Sequence, residues 1–129
     1  AIVFKDADIK KSAAAIAEFA FFNAGQDCTA ITRVLVQDAV HDDVVAAMVE
    51  HTRTLHTGSQ NDEENYFGPL NNVNHFKAVS SVVEHLPANC KIETGGHRAG
   101  VAQTGRALPA ARVGHSVRGA HLQAPGMFA

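Results

Sequence analysis

Apolar side chains recur along the first part of the chain with two spacings, one typical of strands and one typical of helices. The run Ala1–Phe4 is short, apolar and β-prone, and the run Thr32–Gln37 is apolar, β-branched and of strand length. Residues 9–22 and residues 40–55 instead carry apolar side chains at intervals of three and four. The pattern therefore predicts a strand followed by a helix, and then a second strand followed by a second helix.

The next part of the chain predicts a third helix and a third strand. Residues 72–86 carry Val73, Phe76 and Val79 at helical spacing. Pro87 follows their end, where proline cannot continue a helix. The sequence "CKIETGG", residues 90–96, indicates a short strand and a glycine turn. An order of strand, helix, strand, helix, helix, strand is typical of an α/β protein with a partly parallel sheet.

Residues 101–129 differ from the rest of the chain in pattern and in charge. Their apolar positions show weak periodicity among frequent glycines and prolines, so we expect a loop, an extended arm or a disordered tail. The formal net charge is −2, yet all 13 acids lie within residues 1–100, whereas residues 101–129 hold three arginines and no acid. We therefore expect two parts, an ordered one over residues 1–100 and a divergent tail over 101–129.

The composition is that of one globular domain. The chain has 129 residues, 46% of them hydrophobic, and no apolar run reaches the roughly 18 residues that a membrane-spanning helix needs. A signal-peptide pattern is absent at the start and only Cys28 and Cys90 carry thiols. We therefore expect a reduced, cytoplasmic protein, with a Cys28–Cys90 disulfide as the less favoured alternative. The charge balance predicts neither a nucleic-acid partner nor a membrane partner.

The candidate reactive residue is Cys28, in the stretch "FFNAGQDCTAITR" over residues 21–33. Its thiol follows Gly25 and Gln26 where the first helix pattern ends. Thiolates are favoured by nearby cations and oriented N–H groups, but the adjacent residue is Asp27, whose negative charge opposes ionisation. Spacing alone leaves two alternatives open, a reactive thiol and a small buried hydrophobe, and it favours the second.

Other chemistries have weaker support in the sequence. The eight histidines never lie at the i, i+4 spacing of helical metal ligands, so we predict no metal site. The Gly-x-Ser-x-Gly elbow of hydrolases is absent, and so are glycine-rich phosphate loops of standard spacing. Neither hydrolysis through a serine nor phosphate binding is predicted.

Five stretches, in order, resemble the aldehyde dehydrogenase superfamily. "FFNAGQDCTAITR" is similar to the family's cysteine segment, in which Gly-Gln or Gly-Glu precedes one further residue and then Cys. "AIVFKDADIKKSA" and "RVLVQDAVHDDVV" look like the strands and helices on either side of that segment. "TGSQNDEENYFGPLNN" resembles the family's Gly-Pro-Leu loop, and "KIETGGHR" resembles its later strand and double-glycine turn. The resemblance covers about residues 1–98.

The resemblance implies a fold and a reaction. The fold is part of an aldehyde dehydrogenase catalytic domain, a mostly parallel sheet flanked by helices, followed by an irregular C-terminal tail. The family oxidises small-molecule aldehydes to carboxylic acids with NAD or NADP. The family's cysteine, here Cys28, attacks the carbonyl carbon, hydride passes to the cofactor, and water hydrolyses the thioester. The backbone N–H of Cys28 is expected to bind the oxyanion, and Phe22 matches an aromatic residue that lines the substrate tunnel.

The resemblance also suggests a substrate through Asp27. "GQDCTA" is similar to family members that oxidise 4-aminobutyraldehyde and related ω-aminoaldehydes. An acid beside the nucleophile would pair with the substrate ammonium, because charge-assisted contacts are strong in a closed tunnel. A solvated loop carboxylate is the alternative interpretation of Asp27.

The sequence lacks segments that the family uses. The dinucleotide-binding domain and the segment with the general base are missing from these residues, so no cofactor-binding residue is assigned. We expect negligible dehydrogenase turnover from the chain alone. A partial core exposes apolar faces, which predicts a homo-oligomer or association with the missing parts of the enzyme. The alternative function is a non-catalytic remnant that self-associates or binds a partner.

Overall fold

The computed structural model describes residues 1–59 and 61–97, together with the backbone of residues 113–116. Helix α1 spans Ile9–Phe21, α2 spans His41–Thr54 and α3 spans Val73–Glu84. The strands are β1, Ile2–Val3; β2, Leu35–Val36; β3, Lys91–Gly95; and β4, Val113–Ser116. The helices and the first three strands lie where the sequence pattern predicts them. None of the helices in the described ranges has the length and apolar character needed to cross a membrane.

Strands β1 and β2 form a parallel pair joined by helix α1. Ile2 pairs with Leu35 and Val3 pairs with Val36. Two parallel strands cannot be joined by a tight turn, and α1 supplies the crossover that they require. This β1–α1–β2 unit confirms the predicted α/β class and its parallel sheet.

Helix α1 begins at a side-chain cap and buries one face. The Asp8 carboxylate accepts a hydrogen bond from the Lys11 N–H at 3.1 Å. An N-cap of this kind stabilises a helix by about 1 kcal/mol. Ala13, Ile16 and Ala17 are buried, as their spacing of three and four residues predicts. The buried face fixes how α1 lies against α2.

The core consists of two clusters, and α1 contributes to both. Val3, Ile16 and Val44 form one cluster, between the parallel strands and α2. The second cluster consists of Ala17, Leu55 and Phe67, with Phe21 and Ala24 packed against it. Because Phe67 belongs to the loop between α2 and α3, the second cluster fixes that loop against the end of α1.

Several large apolar side chains remain outside these clusters. Ile2 is 64% exposed and its strand partner Leu35 is 51% exposed. Phe4, which follows β1, is 62% exposed. Apolar surface around the parallel strands is therefore uncovered in this structure, as expected for part of a larger core.

A second, antiparallel pair involves the segment predicted to be irregular. Strand β4 pairs with β3, with Lys91 opposite Ser116 and Gly95 opposite Val113, and the register is irregular between Ile92 and Thr94. An extended arm was one of the alternatives for this segment, and residues 113–116 are extended chain. Residues 101–112 and 117–129 lie outside the described residues, and the boundary at residue 100 stays a prediction.

Candidate active site around Cys28

A sharp reversal of the chain follows helix α1. The Phe22 N–H donates to the carbonyl oxygen of Glu18, and the next three residues adopt left-handed backbone angles, with φ of 50° at Asn23, 60° at Ala24 and 78° at Gly25. Glycine and asparagine tolerate this region, whereas it costs other residues about 1–2 kcal/mol. Ala24 packs against the second core cluster, and this contact offsets part of the cost.

The amide side chain of Gln26 fixes the next part of the loop. Its Nε2 donates to the carbonyl oxygen of Asn23 at 3.0 Å, and its Oε1 accepts from the Asn71 N–H at 2.8 Å. In return, Asn23 Nδ2 donates to the carbonyl oxygen of Gln26 at 2.9 Å. Because one side chain must donate and accept here, glutamine satisfies both partners, whereas glutamate would satisfy only Asn71.

Cys28 lies at the centre of a tight turn. The Ala30 N–H donates to the carbonyl oxygen of Asp27 at 3.2 Å, so Cys28 and Thr29 are the two central residues of a β-turn. The Cys28 thiol is free and exposed, and the interpretation of Cys28 as a small buried hydrophobe is therefore wrong. Its backbone N–H donates to no acceptor among the residues that the structure describes, which leaves this donor available to a ligand.

The Asp27 carboxylate is bonded within the same turn. Its Oδ1 accepts from both the N–H and the hydroxyl of Thr29, each at 2.6 Å. The hydroxyl of Thr29, and then its N–H, hold the pKa of the Asp27 carboxyl below the usual value, against a smaller opposing effect of burial. Asp27 is thus anionic at neutral pH, and its Oδ2 accepts no hydrogen bond within the described ranges.

Thr29 was not singled out in the sequence, although a local signal for it was present. Aspartate side chains often accept a hydrogen bond from the backbone N–H two residues on, which forms an Asx turn. The pattern indicates the bond to the Thr29 N–H, but the second bond depends on the threonine side-chain rotamer, which sequence spacing does not specify.

The two phenylalanines at the end of α1 have different environments. Phe21 packs against Phe67, with the ring centroids 6.5 Å apart, whereas Phe22 is 53% exposed. Exposure leaves the Phe22 ring available to a ligand or to another part of a protein. The predicted tunnel role of Phe22 stays a prediction.

A further surface carries polar side chains away from the predicted site residues. An open groove between α2 and β3 is lined by residues that include His41, Arg53, Lys91 and Glu93, and none of the predicted site residues lines it. In the described part of the chain, no group of three or more His, Cys, Asp and Glu residues could hold a metal ion.

Replacing Gln26 with alanine should loosen the link between the Cys28 loop and Asn71. Two side-chain hydrogen bonds are lost, which lowers the free energy of unfolding by about 1–2 kcal/mol, and exchange of the Asn71 amide hydrogen becomes faster. Gln26→Glu retains the acceptor, so Asn71 should stay protected. Gln37→Ala is the matched control, because Gln37 accepts from the Lys5 N–H far from this loop. Unchanged Asn71 exchange in Gln26→Ala would contradict the assigned link.

Comparison with known proteins identifies the family. The model of the aldehyde dehydrogenase family matches residues 1–111. The chain therefore belongs to the aldehyde dehydrogenase family. The match runs past residue 98, where the last quoted motif ends.

One curated relative is the betaine aldehyde dehydrogenase of Bacillus subtilis strain 168. It is 39% identical over 98 residues, which cover 75% of this chain and 20% of that protein. The chain thus spans about a fifth of the length of such relatives.

Solved structures of the family show the same fold. The chain matches a betaine aldehyde dehydrogenase from Staphylococcus aureus, in complex with NAD+, at 28% identity and a TM-score of 0.72, over 77% of this chain and 20% of that one. It matches a gamma-glutamyl-gamma-aminobutyraldehyde dehydrogenase from Burkholderia cenocepacia J2315 at 27% identity and a TM-score of 0.72, with the same coverages. The partial catalytic-domain fold predicted from the sequence is confirmed.

Proposed function

We propose that this chain is the nucleophile-bearing segment of an NAD(P)-dependent aldehyde dehydrogenase and that Cys28 is the nucleophile. One observation carries the proposal: in a chain of this family, an exposed Cys28 thiol lies at the centre of a β-turn beside an unused backbone N–H. A nucleophile needs access to its substrate and a donor for the charge that develops. The turn provides both features without another element of the fold.

The proposed first step is an addition to the aldehyde carbonyl. The Cys28 sulfur forms a bond to the carbonyl carbon while the carbon–oxygen π bond breaks, and the electron pair moves to oxygen. The backbone N–H of Cys28 is proposed to donate to this oxyanion. Preorganised donors of this kind act without reorganisation at the moment of reaction. NAD or NADP, when bound, would accept the hydride whose loss converts this adduct into a thioester. Water would then cleave the thioester, releasing the acid and the Cys28 thiol.

The cofactor is proposed to bind outside this segment. NAD or NADP supplies the hydride acceptor in this family, and dinucleotide phosphates typically bind a glycine-rich loop at a helix N-terminus. Helices α1, α2 and α3 begin after "KDAD", "QDAV" and "GPLNN", and none of these starts has that loop. We therefore assign no residue of this chain to the cofactor. Steady NADH production by the isolated chain from 4-aminobutyraldehyde and NAD would contradict this.

For the substrate, we propose an ω-aminoaldehyde whose ammonium group binds Asp27. Asp27 is anionic, its Oδ2 is unoccupied by described donors, and it is adjacent to Cys28. With the aldehyde carbon bonded to the sulfur, the ammonium group at the other end of the substrate is proposed to bind this carboxylate. Two of the similar proteins are named for aldehydes of nitrogen-containing compounds, betaine aldehyde and gamma-glutamyl-gamma-aminobutyraldehyde. Phe22 is proposed to line the apolar part of the substrate path.

The ammonium preference can be tested on the 129-residue chain without cofactor. In a Cys90→Ser background, Cys28 is treated with cationic 2-aminoethyl methanethiosulfonate or neutral methyl methanethiosulfonate. With each reagent a sulfur–sulfur bond forms and methanesulfinate leaves. The cation preference is the rate with the cationic reagent divided by the rate with the neutral reagent, normalised by the same ratio for 2-mercaptoethanol. It measures how strongly the site attracts a cation.

Asp27→Asn should lower this cation preference by about fivefold, because a unit charge at about 4 Å is worth about 1 kcal/mol in water. Asp38→Asn, an exposed acid outside the turn, is the matched control and should leave the preference unchanged. An equal preference in Asp27→Asn and the unsubstituted chain would count against ammonium recognition by Asp27. Rates are followed by mass spectrometry of the intact chain.

A further inference from the structure

The hydrogen bonds between Asp27 and Thr29 join the two residues on either side of the proposed nucleophile, Cys28. Thr29 follows Cys28 directly, and both of its donors, the N–H and the hydroxyl, reach the same oxygen, Asp27 Oδ1. The carboxylate is therefore attached to the turn through one oxygen only. Within the described part of the chain the second oxygen, Oδ2, has no donor.

We infer that Thr29 is a positioning residue for substrate selection: its hydroxyl holds the Asp27 carboxylate in one orientation, with Oδ2 left as the acceptor for the cationic group of the substrate. The inference rests on the proposed function and names a residue that acts through Asp27 without touching the substrate. It assigns the threonine after the cysteine a role in choosing among aldehydes rather than in the chemical step.

Orientation is one physical reason for this role. A free aspartate side chain samples several rotamers, and binding a ligand then costs the entropy of fixing one of them. Two bonds at 2.6 Å to Oδ1 fix the Asp27 carboxylate before any substrate arrives. Because both bonds use the same oxygen, this restraint leaves the acceptor capacity of Oδ2 intact.

Charge is the second reason. Attack requires the thiolate form of a cysteine, and a like charge nearby disfavours the ionised form of a carboxylate. The Thr29 donors oppose this effect, because hydrogen bonds to a carboxylate favour its charged form. These bonds therefore help the Asp27 carboxylate to stay anionic beside the nucleophile.

The experiment compares three variants in the Cys90→Ser chain. Thr29→Val keeps the shape and the N–H but removes the hydroxyl, and Thr29→Ser keeps the hydroxyl. Thr32→Val is the control, since Thr32 is an exposed threonine of the same loop outside the turn. The readouts are the cation preference of Cys28 with the two methanethiosulfonates and the pKa of the Asp27 carboxyl measured by NMR titration.

Thr29→Val should lower the cation preference by roughly twofold, the effect expected when one side chain loses its preorganisation, and should raise the pKa of Asp27. Thr29→Ser and Thr32→Val should leave both quantities unchanged. The inference is overturned if Thr29→Val keeps the original preference and pKa, or if Thr29→Ser loses as much as Thr29→Val.

The Asp27→Asn variant separates the two levels of the proposal. If Asp27→Asn lowers the cation preference and Thr29→Val does not, ammonium recognition by Asp27 stands and the positioning role of Thr29 fails. If Asp27→Asn has no effect, ammonium recognition itself fails, and the inference about Thr29 fails with it. Circular dichroism of each variant checks that the helices are retained.

Discussion

Replacing Phe67 with alanine is expected to lower the free energy of unfolding by about 3–5 kcal/mol. Phe67 is only 5% exposed and packs with Ala17 and Leu55. Its ring also stacks on Phe21 and makes a T-shaped contact with Tyr66, with centroids 6.5 and 6.2 Å away. Since domains of this size are typically stable by about 5–15 kcal/mol in total, this one change should remove a large share of the stability.

The matched control for this change is Phe19→Ala. Phe19 is the same residue type but is 59% exposed on α1, so its removal should change the free energy of unfolding by no more than about 0.5 kcal/mol. Urea unfolding followed by circular dichroism measures both variants. If Phe67→Ala were no less stable than Phe19→Ala, the second core cluster would not hold the loop between α2 and α3 in place.

The second large effect concerns the two thiols. At neutral pH, iodoacetamide should alkylate Cys28 about tenfold faster than Cys90, because reaction requires an accessible thiolate. Cys28 is exposed at its turn, whereas Cys90 is only partly exposed, and its sulfur lies 3.9 Å from Asn89 Oδ1. Peptide mass spectrometry over a time course gives both rates in one sample.

Two single substitutions assign the rates to their residues. Cys28→Ser should remove the fast reaction, and Cys90→Ser should leave it unchanged. Equal rates at the two cysteines would argue against a prepared nucleophile at position 28. In that case the non-catalytic remnant, which the resemblance had made the less favoured function, would become the better description of the chain.

The elements of this fold could be predicted from the sequence because their signals are local. Apolar spacing predicts a helix over residues 9–22, and the observed helix α1, Ile9–Phe21, ends one residue earlier. Helix α3 likewise ends at Glu84, shortly before Pro87. In each case the residues that decide the structure lie within a few positions of one another.

The features that the sequence did not reveal depend on residues distant in the chain or on side-chain rotamers. The contact from Gln26 to Asn71 joins positions 45 apart, and no periodic pattern encodes such a pair. Strand β4 is defined by its pairing with β3. Its own residues have weak periodicity, so their sequence did not predict a strand. At the site, the motif made Cys28 and Asp27 candidates, whereas the bond from the Thr29 hydroxyl to Asp27 was found only in the structure.

The distance along the chain between Gln26 and Asn71 has a consequence for the order of assembly. Helix α1 and its terminal turn can form as soon as their own residues leave the ribosome, since their contacts are local. The acceptor on Gln26 must wait for Asn71, and closing that loop costs entropy before the bond forms. During synthesis, the nucleophile loop is therefore complete only after the Gly-Pro-Leu segment has been made and has docked. Maturation of the thiol site should thus be one of the later events in folding.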